Sequence, residues 1–201
     1  MTVNYPNGKS YEKNESTLFG EKKRSIQYGN RGMNLEEDIS MSNQYYLERG
    51  IAVIHKKPTP IQVVKVDYPK RSAAVIREAY YRQSSTTDFN GVYKGRYIDF
   101  EAKETRNKTS FPLKNLHQHQ IEHMEKCRKM GGFTFVLIRF STLNRVFLLD
   151  SQHVSTLWNN QLKEDARKSI PLSFIEKNGI EIEYGFQPAL DYLAAVEQLM
   201  N

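Results

Sequence analysis

Apolar and polar positions change period several times along the chain, and each change marks an element. Residues 1 to about 30 have no apolar periodicity; Asn, Ser, Lys, Gly and Tyr mix with scattered charge, which predicts a flexible arm able to order on a partner. From Asn34 the period becomes helical. Asn34 and Glu37 form a capping-box pattern, Leu35, Ile39 and Tyr46 share a face, and Gly50 closes the helix. Ile51 to His55 reads as a short strand. Ile61 to Val66 is β-prone but framed by Pro58, Pro60 and Pro69. Proline cannot donate to a sheet ladder, so a projecting hairpin or stalk over about 56–71 is expected. Residues 72–83 carry no decisive pattern. Asn90-Gly91 and Lys94-Gly95 read as turns, and an alternating strand follows from Arg96 to Lys103. A helix is predicted from about Asn115 to Met130, closed by Gly131-Gly132. Phe133–Phe140 and Arg145–Leu149 read as strands, and Pro188 opens a last helix carrying Leu190, Leu193 and Val196. Helix, three strands, helix, strand predicts a mixed α/β core.

The strand Arg96-Tyr-Ile-Asp-Phe-Glu-Ala-Lys103 is chemically loaded. Ile98, Phe100 and Ala102 point to one face; Asp99, Glu101 and Lys103 point to the other. Such alternation on a solvated face serves solubility alone. On a buried face, two carboxylates need a cation to offset desolvation and mutual repulsion. Asp88 begins the neighbouring strand, so a hairpin would bring it beside Glu101. Thr86, two residues earlier, can add an oxygen. Gln120 shares a helix face with Met124 and Cys127 and should point inward with its amide. A hard divalent ion wants this kind of oxygen set, and Lys103 can meet the attacking water and the phosphate oxygens. Asp99 is a second ligand or a support.

Composition sharpens the picture. The 201 residues fit one domain, or one with an appended arm. No apolar run approaches the roughly 18 residues of a membrane span, and the N-terminus has no secretory apolar segment. The single cysteine, Cys127, fits a reducing, cytoplasmic setting. A net charge of +6 points to a polyanionic partner. It is concentrated: residues 55–82 hold seven Lys/Arg against two Asp/Glu, whereas residues 131–201 hold six against eight. Lys56, Lys57, Lys70 and Arg71 thus make the proline-framed excursion a candidate probe of nucleic-acid backbone.

Rival chemistries are weaker. His119, His123 and Cys127 are spaced i, i+4, i+8 on one helix, which sets the outer two roughly 12 Å apart for a zinc ion, and a fourth ligand is missing. The two histidines read as surface or phosphate-facing groups, and the sequence assigns no role to His117. There is no Gly-x-Ser-x-Gly nucleophile elbow, and Gly91 to Gly95 lacks the spacing of a phosphate loop.

Asp88 followed by Glu101-Ala102-Lys103 resembles the PD-(D/E)xK nuclease motif. Longer segments resemble the RecU Holliday-junction resolvases: Tyr5-Pro6-Asn7-Gly8-Lys9, Asn30-Arg31-Gly32-Met33, Ala52 to Pro60, Tyr68 to Ala74, Gln83 to Asp88 and Gly95 to Thr105. The resemblance implies a restriction-endonuclease-like core in the order α-β-β-β-α-β, a nuclease domain over 31–201 with a stalk inserted at about 56–71, and Mg²⁺ (Mn²⁺ as its substitute) as cofactor. It assigns the metal to Thr86, Asp88, Glu101 and Gln120, with Lys103 stabilising the transition state. It further implies a homodimer nicking opposing strands of four-way junction DNA, modulation of the RecA recombinase, and DNA contacts at Arg31 and along the stalk. In related archaeal resolvases a first-helix Glu also serves the site, a part open here to Glu36 or Glu37. A non-catalytic junction-binding, recombinase-regulating protein is the alternative.

Overall fold

The computed structural model describes residues 34–82, 86–163 and 165–200; the expected arm and Arg31 lie outside them. Helix α1 (Leu35–Glu48) starts at Asn34, whose side chain accepts from the Glu37 amide while Glu37 reaches back to the Asn34 amide. Both ends of the capping box are therefore satisfied. Gly50, at φ +65°, turns the chain into β1 (Ala52–Lys56). Strands β2 (Ile61–Asp67) and β3 (Val75–Tyr81) follow, joined through a 3-10 turn at Arg71–Ala73. Then come β4 (Phe89–Tyr93), β5 (Arg96–Thr105), β6 (Ser110–Pro112), α2 (Gln118–Lys129), β7 (Phe133–Phe140) and β8 (Arg145–Asp150). The described chain closes with α3 (Ser151–Asn160), β9 (Ser169–Pro171), α4 (Leu172–Asn178), β10 (Ile180–Ile182) and α5 (Tyr192–Met200).

Six strands form one mixed sheet in the order β1-β4-β5-β7-β8-β10. Neighbours are antiparallel except β5 and β7, which run parallel with α2 as the crossover between them. The elements α1, β1, β4, β5, α2 and β7 keep the restriction-endonuclease-like order α-β-β-β-α-β. One apolar core lies between the sheet and helices α1 and α5, where Phe100 stacks between Phe89 and Phe135 at centroid distances of 5.1 and 4.6 Å. A second lies against α2, α3 and α4, built on Ile121, Met124, Val136, Ile138 and Val154. Each fully buried ring or aliphatic side chain contributes roughly 1.5–3 kcal/mol of transfer free energy. Because Phe100 belongs to the first core, its neighbours Asp99 and Glu101 point into the α2 layer, where both are fully buried. Among the described residues no helix is long and apolar enough to cross a membrane.

Three local expectations change. Asn90-Gly91 is not a turn but part of β4: a Cβ on Gly91 would come 2.1 Å from the Val53 carbonyl oxygen, so glycine is there for close packing on β1. The hairpin turns at Lys94-Gly95, both at positive φ. The proline-framed excursion runs on to Tyr81, because Val75–Tyr81 pairs with Ile61–Asp67 in a two-stranded ribbon exposed along nearly its whole length. The last helix begins at Tyr192, with Pro188 in the preceding turn.

Candidate active site

Pairing of Phe89 with Phe100 sets Asp88 opposite Glu101 at the end of the β4–β5 ladder. The Ala102 amide donates to Asp88 Oδ2 at 3.1 Å, which turns that carboxylate toward β5. Glu101 sits at zero exposure. Its Oε1 takes the Lys103 ammonium at 2.5 Å and the Gln120 amide nitrogen at 2.5 Å. Its Oε2 is buried and receives no hydrogen bond from the described residues. Burial pushes the Glu101 carboxyl up to about 8; Lys103 opposes the shift and the charge of Asp88 adds to it. At neutral pH Glu101 therefore keeps a proton that an exposed glutamate would have lost.

An orphaned, buried carboxylate oxygen facing a second carboxylate is the electrostatic situation that a divalent cation resolves. The donors are all oxygens, which suits a hard ion. Thr86 lies half-buried in the bend before Asp88 rather than within the strand. Gln120 does reach Glu101, but through nitrogen; its amide oxygen accepts from the His117 amide at 2.9 Å, inside the N-terminal cap of α2.

Two residues along β5, Asp99 is equally buried and differently served. Its Oδ2 takes the Lys57 ammonium at 2.7 Å, the Tyr97 hydroxyl at 2.7 Å and the His123 ring nitrogen at 3.1 Å; Thr87 donates its hydroxyl to Oδ1. Burial alone would raise the Asp99 carboxyl, but these donors outweigh it and hold it below the ordinary value. Asp99, His123 and Cys127 converge within 4.8 Å. Lys57 already neutralises that carboxylate, so this donor set does not fit a metal ion as it stands. His119 is not part of it: it stacks on His117 at 5.5 Å.

The basic residues separate. Lys56 is exposed and pairs with Glu36 at 2.5 Å, which ties the first helix to the end of β1. Lys70 is exposed beyond β2; the Arg71 side chain lies outside the described residues. Lys57, expected on the DNA-facing excursion, is corrected to the interior: its side chain is 16% exposed because it compensates Asp99. Sequence patterns did not single out Thr87, Tyr97 and His123 as partners of Asp99. For two of them a signal existed, since Tyr97 and Asp99 are i, i+2 on one strand and Gln120 and His123 are i, i+3 on one helix.

A carboxylate pair at the edge of a β4–β5 hairpin, with an ammonium two residues on and a mixed sheet behind it, is the arrangement of the PD-(D/E)xK nuclease class. The family model "RecU: Recombination protein U" matches residues 30–198, and the chain belongs to that family. It is 58% identical over 201 residues to "Holliday junction resolvase RecU" of Geobacillus sp. (strain WCH70), covering 99% of this chain and 98% of the relative. The protein so named from Lactiplantibacillus plantarum is 55% identical over 206 residues, covering 100% and 97%. The one from Staphylococcus aureus (strain JH9) is 56% identical over 201 residues, covering 98% and 96%. A solved structure of Archaeoglobus fulgidus Hjc, described as a Holliday junction resolvase, aligns at 11% identity and TM-score 0.41 over 71% of this chain and 94% of that one. That likeness is too low to carry an argument.

Proposed function

We propose that this chain is a divalent-metal endonuclease that resolves four-way DNA junctions in recombination and repair. The observation that carries the reading is the buried Glu101 carboxylate, set against Asp88 and beside Lys103, with one oxygen unserved. Family membership and relatives named as Holliday junction resolvases support the substrate. Asp88 and Glu101 would hold the ion, Mg²⁺ with Mn²⁺ as its substitute, with Thr86 adding an oxygen; Gln120, expected as a further ligand, would join only by releasing its oxygen from the His117 amide. The ion supplies Lewis acidity and a water of lowered pKa. Lys103 carries positive charge to the phosphate oxygens, whose charge grows in the transition state, while the Ala102 amide and the Gln120 side chain fix the two carboxylates. Lys56, Lys70 and Arg71 meet phosphates along the exposed ribbon, and Arg31 adds a contact at the start of the nuclease domain. A homodimer furnishes two sites, one for each opposing strand. The family resemblance further supports modulation of the RecA recombinase and a cytoplasmic setting.

The test compares a synthetic four-way junction with linear duplex in Mg²⁺. The junction is expected to be nicked in paired strands. Glu101→Ala should abolish nicking, and Lys103→Ala should slow it by about 10²–10³-fold, while both variants still bind the junction in EDTA. Wild-type nicking by both variants would overturn the site assignment. Wild-type binding without nicking would return the chain to a non-catalytic junction-binding role.

A further inference from the structure

At the first residue after β1, just before the proline-framed ribbon, one side chain and its backbone make several contacts at once. Lys57 follows β1 and precedes Pro58, where the ladder to β4 ends because proline has no amide to give. Its own amide donates to the Asp88 carbonyl at 2.8 Å. Its ammonium donates to the Thr87 hydroxyl at 2.9 Å and to Asp99 at 2.7 Å. Three hydrogen bonds from one residue thus close on Thr87-Asp88 and on the β5 carboxylate facing them. Thr87 completes the triangle by donating to Asp99, and it is 2% exposed. Asp88 gets its orientation from two directions: the Ala102 amide fixes its carboxylate and the Lys57 amide its carbonyl. Three residues beyond Lys57 the ribbon itself is closed, Arg82 donating its amide to the Pro60 carbonyl at 2.9 Å.

We propose that Lys57 is a positioning residue that ties the foot of the basic ribbon to the segment bearing Asp88, so that the carboxylate pair is held ready for its cation. The inference rests on the metal-site reading above and goes beyond it. Lys57 touches neither the ion nor the DNA; it sets the backbone from which one metal ligand projects. Partners that orient ligands from behind typically change metal affinity by 10–100-fold. Lys57 should therefore act on metal binding and leave junction binding alone, the reverse of an exposed phosphate contact.

Mn²⁺ binding is measured by calorimetry on the full-length protein without DNA, and junction binding separately in EDTA. The variants are Lys57→Met, Lys57→Met/Asp99→Asn and Thr87→Val. The double variant leaves no uncompensated buried charge, and Thr87→Val removes only the shared hydroxyl, so a folded protein is tested even if Lys57→Met alone unfolds. Expected are Mn²⁺ affinities roughly 10–100-fold weaker for both lysine variants and several-fold weaker for Thr87→Val, with EDTA junction binding as in wild type and nicking regained at saturating Mn²⁺. Wild-type Mn²⁺ affinity in the double variant and in Thr87→Val would overturn the proposal, leaving Lys57 as charge compensation for Asp99. An equal loss of junction binding in EDTA would overturn it in favour of a direct phosphate contact. If the wild-type protein itself binds no Mn²⁺, it is the metal-site reading that fails.

Discussion

Asp99 and Glu101 lie two residues apart on β5, point into the same layer and are both fully excluded from solvent, yet their chemistry is opposite. Asp99 is surrounded by an ammonium, two hydroxyls and an imidazole, and its carboxyl is held below the ordinary range. Glu101 has one ammonium and one amide on one oxygen, none on the other, and a second carboxylate for company; it is pushed up to about 8. Burial is the same for both. The difference is the number of donors and the second carboxylate, Asp88, whose charge acts on Glu101. A carboxylate whose needs are met by the protein is a piece of framework. One whose needs are not met stores a demand for positive charge, and that demand is what a metal-dependent site uses.

Removing the framework carboxylate should have the largest effect on folding. Asp99→Ala strands the Lys57 ammonium in a mostly buried position, and loss of one partner of such a pair costs about 3–5 kcal/mol. Urea unfolding in EDTA reads it directly, and a cost near zero would erase the contrast between the two carboxylates.

The pH dependence comes next, and its sign differs between the pair. Because folding raises the Glu101 pKa from its ordinary 4.5 to about 8, the folded metal-free protein binds this proton more tightly than the unfolded chain does. The stability it contributes is complete below pH 4.5 and lost as pH rises through about 8, at a slope of up to about 1.4 kcal/mol per pH unit. Asp99, depressed from 3.8, contributes stability present above pH 3.8 and lost as pH falls through its folded value. Unfolding curves in EDTA from about pH 5 to 9 should show the Glu101 slope in wild type and a flatter line in Glu101→Gln. A divalent ion should reverse the trend. It competes with the proton on Glu101, so its affinity should rise toward pH 8, and at about 100 times its Kd it should add about 2.7 kcal/mol. That addition should vanish in Glu101→Gln.

The smallest effect separates two adjacent lysines. Lys56→Ala should reduce the salt dependence of junction binding by about one logarithmic slope unit, as expected for one lost phosphate contact. Lys57→Met should leave that slope unchanged. A slope change in the buried residue and none in the exposed one would invert the assignment of outside and inside at this point of the chain.

Much of this architecture is legible along the chain. The capping box at Asn34 and Glu37, the period-2 pattern of Arg96–Lys103 and the apolar run Phe133–Phe140 are local signals, carried by capping geometry and side-chain alternation, and each appears as an element of its kind. Asn90-Gly91 misleads because a glycine that permits a turn is the same residue as a glycine that permits close packing, and only the Val53 carbonyl distinguishes the two. Val75–Tyr81 has no decisive pattern because a ribbon exposed on both faces has no inside to alternate against.

The same division runs through the site. Sequence alone determined that Asp99, Glu101 and Lys103 share one face of a strand and that Gln120 turns inward, because alternation and helical period depend only on order along the chain; Asp88, expected to begin the strand beside it, lies one residue before β4. Tertiary structure alone decided that this face is buried under α2, that Lys57 points in while Lys56 points out, and that Thr87, Tyr97 and His123 spend their donors on Asp99 and none on Glu101 Oε2. Desolvation and hydrogen bonding here depend on side chains that meet across sequence separations of 12 (Thr87 to Asp99), 24 (His123 to Asp99) and 42 (Lys57 to Asp99), and no local period encodes that.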